Sequence, residues 1–212
     1  GFQVHFHLNL NQKELRLAVV AFGEALEAAG PETVSLIYYS GHGVQAGGRN
    51  YLLPVDSRIN HEKDIAIEAV AAGDILEMLA YTRTRMNIVI LDACRNNPYK
   101  RSFRSAPSGL AKMDAPRGTL LAYSTAPGQT ATDGSGKYSP YTQALVRSMQ
   151  KPGLAVEQVF KAVRVSVMER TAEQQVPWES SSLTGDFYFT EAFPVQTVVQ
   201  TPPQPAPAPE PS

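Results

Sequence analysis

Apolar residues change their spacing several times along the chain, and each change marks an element. Residues 4–8 alternate Val4, Phe6 and Leu8 with polar neighbours, the two-residue period of a half-buried strand. Asn11 then precedes Leu15, Ala18, Val19, Phe22, Ala25 and Leu26, the three-four spacing of one helix face, closed by Gly30-Pro31. Residues 33–39 (TVSLIYY) are a nearly continuous β-branched and aromatic run, the pattern of a parallel strand covered on both faces. The sequence predicts a short strand or hairpin arm over 48–54 and a helix over 69–79. A second buried strand follows over 86–91 (MNIVIL) and a third over 118–123 (GTLLAY). Residues 141–149 and 156–168 read as amphipathic helices, and 183–189 as a last strand ending in FYF. Strands and helices alternate without an internal repeat. The predicted class is therefore α/β, an α/β/α sandwich around a mostly parallel central sheet.

Composition narrows this further. The chain has 212 residues, the size of one domain with a proper core. Its 19 basic and 20 acidic residues leave a net charge of −1, which points away from nucleic acid and from anionic membranes as partners. No apolar run is long enough to span a bilayer. From Pro194 the chain reads PVQTVVQTPPQPAPAPEPS, where recurring prolines favour an extended, unpacked backbone. The folded domain is thus expected over 1–192. Residues 193–212 are expected to form a disordered Pro-rich tether to further domains. The first residue is Gly1 and not methionine, so the lack of a visible signal peptide says nothing about compartment. There is a single cysteine, which excludes an intrachain disulfide and any zinc site built on several thiolates.

That cysteine sits where chemistry is expected. In open α/β sheets, sites form at the carboxyl ends of strands. The 33–39 strand leads into Ser40-Gly41-His42-Gly43, and the 86–91 strand leads into Asp92-Ala93-Cys94-Arg95. If these strands are neighbours, His42 and Cys94 emerge side by side. A nucleophilic cysteine needs a base or cation nearby to hold its thiolate, together with donors for an oxyanion. Gly43 allows close approach of a backbone N–H, and the Cys94 N–H is the natural second donor. By itself a lone cysteine is more often a small buried residue. The Gly-His-Gly at the end of the other strand tips the balance toward catalysis. His5 and His7 share one face of an expected edge strand without a third ligand near in sequence, so no metal site is assigned to them. His61, among Glu62, Lys63 and Asp64, reads as solvated.

These motifs carry a family resemblance. SGHG (40–43), YLLPVD (51–56), LDACRNNP (91–98), GTLLAYSTAPGQTA (118–131), SPYTQAL (139–145) and SSLTGDFYF (181–189) together resemble bacterial caspase-like cysteine peptidases of clan CD, related to metacaspases and orthocaspases. A caspase-type cysteine has its histidine about fifty residues upstream, as here. The resemblance implies a caspase-like fold whose first strand and helix would precede Gly1. It makes Cys94 the nucleophile and His42 the general base and acid, with Gly43 and Cys94 forming the oxyanion hole.

The resemblance also bears on specificity. Caspases that cut after aspartate carry glutamine two positions before the nucleophile, whereas this chain carries Asp92, like metacaspases and paracaspases that cut after arginine or lysine. A carboxylate in the pocket pairs with a guanidinium and repels an acidic side chain. Ser40 matches a second pocket position, and Asp133 is a further acidic candidate from a facing loop. Tyr123 and Ser124 match the segment that pairs with the substrate backbone, with Tyr123 equally readable as core and Ser124 expected only as a main-chain contact. The connection over 96–117, with Lys100, Arg101, Arg104, Lys112 and Arg117 and preceded by Arg95, is either a self-cleavage target or a solvated linker. No cofactor is expected. Asp56 matches one position of a metacaspase calcium cluster, but Ile65-Ala66-Ile67-Glu68 and the residues after Cys94 lack the acidic partners that a hard cation needs. The leading expectation is a cysteine endopeptidase acting on proteins with a basic residue before the scissile bond. The alternatives are a catalytically silent caspase-like scaffold, or a clan CD peptidase cutting after Asn or Asp.

Overall fold

Every residue of the strand Met86–Asp92 is buried, and the rest of the architecture follows from covering it. The computed structural model describes residues 1–93, 109–132, 134 and 136–192. In chain order the elements are α1 (Gln12–Ala29), β1 (Val34–Ser40), β2 (His42–Ala46), β3 (Arg49–Leu53) and a 3-10 turn (Glu62–Asp64). There follow α2 (Ile65–Glu68), β4 (Val70–Ala71), α3 (Ala72–Tyr81) and β5 (Met86–Asp92). The chain closes with β6 (Thr119–Tyr123), α4 (Pro140–Met149), α5 (Val156–Arg170) and β7 (Trp178–Ser181). The main sheet has the order β1-β5-β6-β7, with β1, β5 and β6 parallel and β7 antiparallel to β6. A smaller antiparallel sheet, β2-β3-β4, follows directly from β1.

The two-residue period of the strands divides the core. Val89, Leu91, Leu121 and Tyr123 pack toward Leu26 of α1 and Ile75, Leu76 and Leu79 of α3. Ile88, Ile90, Leu120 and Ala122 face the other way, onto Tyr141, Ala144 and Leu145 of α4 and Val159, Phe160, Val163 and Val167 of α5. Arg164 of α5 pairs with Glu179 of β7 and donates to the Pro177 carbonyl at 2.9 Å, which fixes the antiparallel strand to this layer. The result is the expected α/β/α sandwich, with a mixed, mostly parallel sheet between helices.

Local chemistry sets the ends of the elements. Asn11 and Glu14 form a reciprocal capping box at α1, each side chain accepting the other's backbone N–H at 2.9 Å. Asp56 accepts the Gln12 N–H at 3.0 Å, so the carboxylate of the 51–56 motif also serves the positive end of α1. Gly47 and Gly48, with φ of 53° and 76°, supply the left-handed turn between β2 and β3 that a side chain would strain.

Two expected strands are not formed. Residues 4–8 pair with nothing in either sheet, and Val4, Phe6 and Leu8 are 77%, 76% and 68% exposed. Alternation creates a face to bury, but a strand also needs a neighbour for its backbone, and no described strand lies beside this segment. Phe2 instead meets Phe187 edge-on at 6.0 Å, and His5 meets Phe22 at 6.0 Å. The closing strand is Trp178–Ser181 and not 183–189. Residues 183–189 make a single bridge, Ala155 to Tyr188, while Phe187 and Phe189 pack as aromatic plugs on the α4/α5 layer.

Candidate active site

The parallel pairing of β1 with β5 places Ser40 opposite Asp92 at the carboxyl edge of the sheet. Beyond that pair the two chains stay in contact, with the Gly41 N–H donating to the Asp92 carbonyl at 3.3 Å. His42 opens β2 and is exposed, while Gly43 is buried. A β-carbon at position 43 would lie 2.9 Å from the Ala93 carbonyl oxygen and 3.2 Å from the Ala93 Cβ. Only glycine lets the backbone after His42 come this close to the residue before Cys94. Tyr39 shapes the same turn from below, its hydroxyl lying 3.0 Å from the His42 carbonyl and 3.1 Å from the Leu53 carbonyl.

Asp92 is 5% exposed and surrounded by hydroxyls. Its Oδ2 accepts from Ser139 at 2.7 Å, from Thr142 at 2.9 Å and from Tyr38 at 3.4 Å. All three fall on Oδ2, and among the described residues no bond is made to Oδ1. Ser139 is the N-cap of α4, with its oxygen also accepting the Thr142 N–H at 3.0 Å, so the helix start aims its hydroxyls at the carboxylate. Burial, and then the Asp92 charge, raise the Tyr38 phenol above its ordinary pKa, which keeps it a neutral donor.

Tyr123 and Ser124, matched to the substrate-pairing segment, are both buried. Tyr123 is 1% exposed and its hydroxyl accepts the Met113 N–H at 3.1 Å. Ser124 is fully buried, with its N–H donating to Leu91 at 3.1 Å and its carbonyl accepting from Gln175 at 2.7 Å. Both main-chain groups of Ser124 are thus bonded within the fold. Cys94 and Asp133 lie outside the described residues, as do the basic residues Arg95, Lys100, Arg101 and Arg104.

Sequence reasoning missed the supporting set. Tyr38, Ser139 and Thr142 reach Asp92 from two separate elements, and only the Ser139-Pro140 cap signal was there to be read. Gln175, 0% exposed, ties Ser124 to Thr132 by accepting the Thr132 N–H at 3.1 Å, and nothing in its own neighbourhood of the chain marks it. Among the described residues no group of three or more His, Cys, Asp or Glu is arranged to hold a metal ion. Nor is any described helix long and apolar enough to cross a membrane.

Residues 1–188 match the family model described as the caspase domain. Among curated proteins, the human mucosa-associated lymphoid tissue lymphoma translocation protein 1 is 30% identical over 94 residues, 44% of this chain and 11% of that protein. Its mouse homologue is 29% identical over the same shares. The chain therefore spans only 11% of the length of these relatives.

Proposed function

Since the chain belongs to the caspase domain family, whose members are cysteine peptidases, we propose that it is an endopeptidase that hydrolyses the bond after arginine, and more slowly after lysine, in protein substrates. Cys94 is the nucleophile and His42 the base and acid. The thiolate attacks the carbonyl carbon, and the oxyanion is held by the N–H groups of Gly43 and Cys94. His42 then protonates the leaving amine, and water releases the acyl group. The observation that carries the reading is the close approach of Gly43 to Ala93, which brings the chain after His42 against the residue next to the only cysteine.

Asp92 supports the choice of a basic side chain. A buried carboxylate with hydroxyls on one oxygen, and no bond to the other among the described residues, suits a guanidinium, which donates a planar fork. Ser40, its register partner, completes that wall. The same preference makes the connection between β5 and β6 a self-cleavage target, with a restriction. Lys112 lies within, and Arg117 just after, a docked stretch in which Leu110 is buried and the N–H groups of Ala111, Met113 and Ala115 are bonded. A protease needs several accessible extended residues, so neither of these two is the expected cut.

The test is turnover of fluorogenic peptides ending in Arg, Lys, Asn or Asp by wild type, Cys94→Ala, His42→Ala and Asp92→Asn. Arg peptides should be cut fastest, and Cys94→Ala should be silent. His42→Ala should be slower by about a hundredfold or more. Asp92→Asn should lose roughly thirty- to a thousandfold in kcat/KM on Arg peptides. Turnover by Cys94→Ala would sink the peptidase reading, and efficient cutting after Asp would sink the pocket assignment.

A further inference from the structure

The chain that enters β6 passes through the site on its way. Gly109 adopts φ +68°, and a β-carbon there would sit 2.1 Å from the Gln129 carbonyl oxygen, so a side chain is excluded both by strain and by space. The next residue, Leu110, is 1% exposed. It touches two segments that border the candidate site. Its Cδ2 would lie 3.1 Å from a β-carbon on Gly43, a position that also faces Ala93, and its carbonyl accepts the Gly128 N–H at 3.0 Å. Leu110 is thus a wedge set against Gly43 beside Ala93, with its backbone tied to the loop after β6.

What holds the wedge is Asn50. This amide is 1% exposed, on β3 of the small sheet, opposite Gln45. Its Nδ2 donates to the Ala111 carbonyl and its Oδ1 accepts the Ala111 N–H, both at 2.7 Å. A two-point clamp fixes both the position and the orientation of the peptide, because either bond alone would let the chain pivot. A buried amide needs partners in any fold. This one spends them on a non-strand segment whose neighbour packs on Gly43.

We infer that Asn50 and Leu110 are positioning residues of the active site, setting the distance between the His42-Gly43 turn and the Ala93-Cys94 strand end. The inference rests on the reading of His42 and Cys94 as the catalytic pair. It predicts that loosening the clamp impairs the chemical step more than substrate capture, because the carboxylate pocket at Asp92 is built from β1, β5 and α4 and does not involve the wedge.

The experiment compares wild type, His42→Ala, Asn50→Ala, Asn50→Asp and Leu110→Ala by two readouts. One is steady-state kinetics on a fluorogenic Arg peptide; the other is the pH dependence of iodoacetamide alkylation of the single thiol, with thermal melting as a fold control. Asn50→Asp keeps the size and the acceptor but sets an oxygen against the Ala111 carbonyl, and so serves if Asn50→Ala does not fold. Asn50→Asp and Leu110→Ala are expected to lower kcat roughly ten- to a hundredfold. KM should stay within about twofold, and the alkylation profile should move toward that of His42→Ala. A lowered melting temperature with kcat and alkylation profile unchanged would overturn the inference and leave the clamp a purely structural one. If the wild-type profile does not depend on His42 at all, the catalytic pair itself is wrong, and the inference falls with it.

Discussion

At Asp92 a carboxylate is withdrawn from water and met by three hydroxyl groups. Hydrogen bonds to an ion are stronger than neutral ones, which offsets part of the desolvation cost. A substrate cation would offset the remainder, so occupancy of the pocket and stability of this corner are linked. Tyr38 reports on the same corner from the other side. Below the ordinary phenol value of 10.0, Tyr38 is neutral in both folded and unfolded chains and adds no pH dependence. Above that value the unfolded chain loses a proton that the folded chain retains, so stability falls as pH rises toward the raised folded value. Melting temperatures between about pH 10 and 11 should therefore decline less steeply in Tyr38→Phe than in wild type. Parallel slopes would show that folding does not raise the phenol pKa.

Among the elements, those with their own signals match the sequence best. The start of α1 is one: the capping box forms as Asn11 and Glu14 allow. Asn11→Ala should cost about 1 kcal/mol, which lowers Tm by roughly 2–4 °C in a domain of this size; an unchanged Tm would mean that Asp56 alone secures the helix start. The buried strands β5 and β6 were legible because continuous apolar runs need no partner's identity to be recognised, whereas β1, expected to be covered on both faces, stands at the sheet edge with only Ser35 buried. Residues 4–8 and 183–189 were not, because alternation says which side is apolar and not whether a neighbouring backbone exists. For the same reason the strand-end rule located His42 and Asp92, whereas the hydroxyls around Asp92 come from residues 38, 139 and 142 and become neighbours only on folding. The burial of Ser124 was not legible because an apolar strand such as GTLLAY gives no sign of where burial stops, and here it continues through Thr125.

For the whole molecule, the feature with the widest reach is that the candidate base and the acidic pocket ride on different sheets. His42 is the first residue of the small sheet, and Asp92 is the last of the central strand. Between β1 and β2 stands Gly41 alone, so the connection is a hinge of one residue. The Tyr39 hydroxyl braces that hinge by reaching carbonyls of β2 and β3 from a strand of the main sheet. Gly41 must remain glycine for this, because a β-carbon there would lie 2.7 Å from the same hydroxyl oxygen. Tyr39→Phe should speed amide exchange across β2 and β3 by roughly tenfold while β5 and β6 keep their protection. Equal acceleration in β5 would mean that the two sheets open together. With the Asn50 clamp on Ala111, this brace moors the small sheet to the rest of the domain by side chains and not by a shared strand ladder, so the spacing of His42 from the end of β5 depends on a few polar contacts.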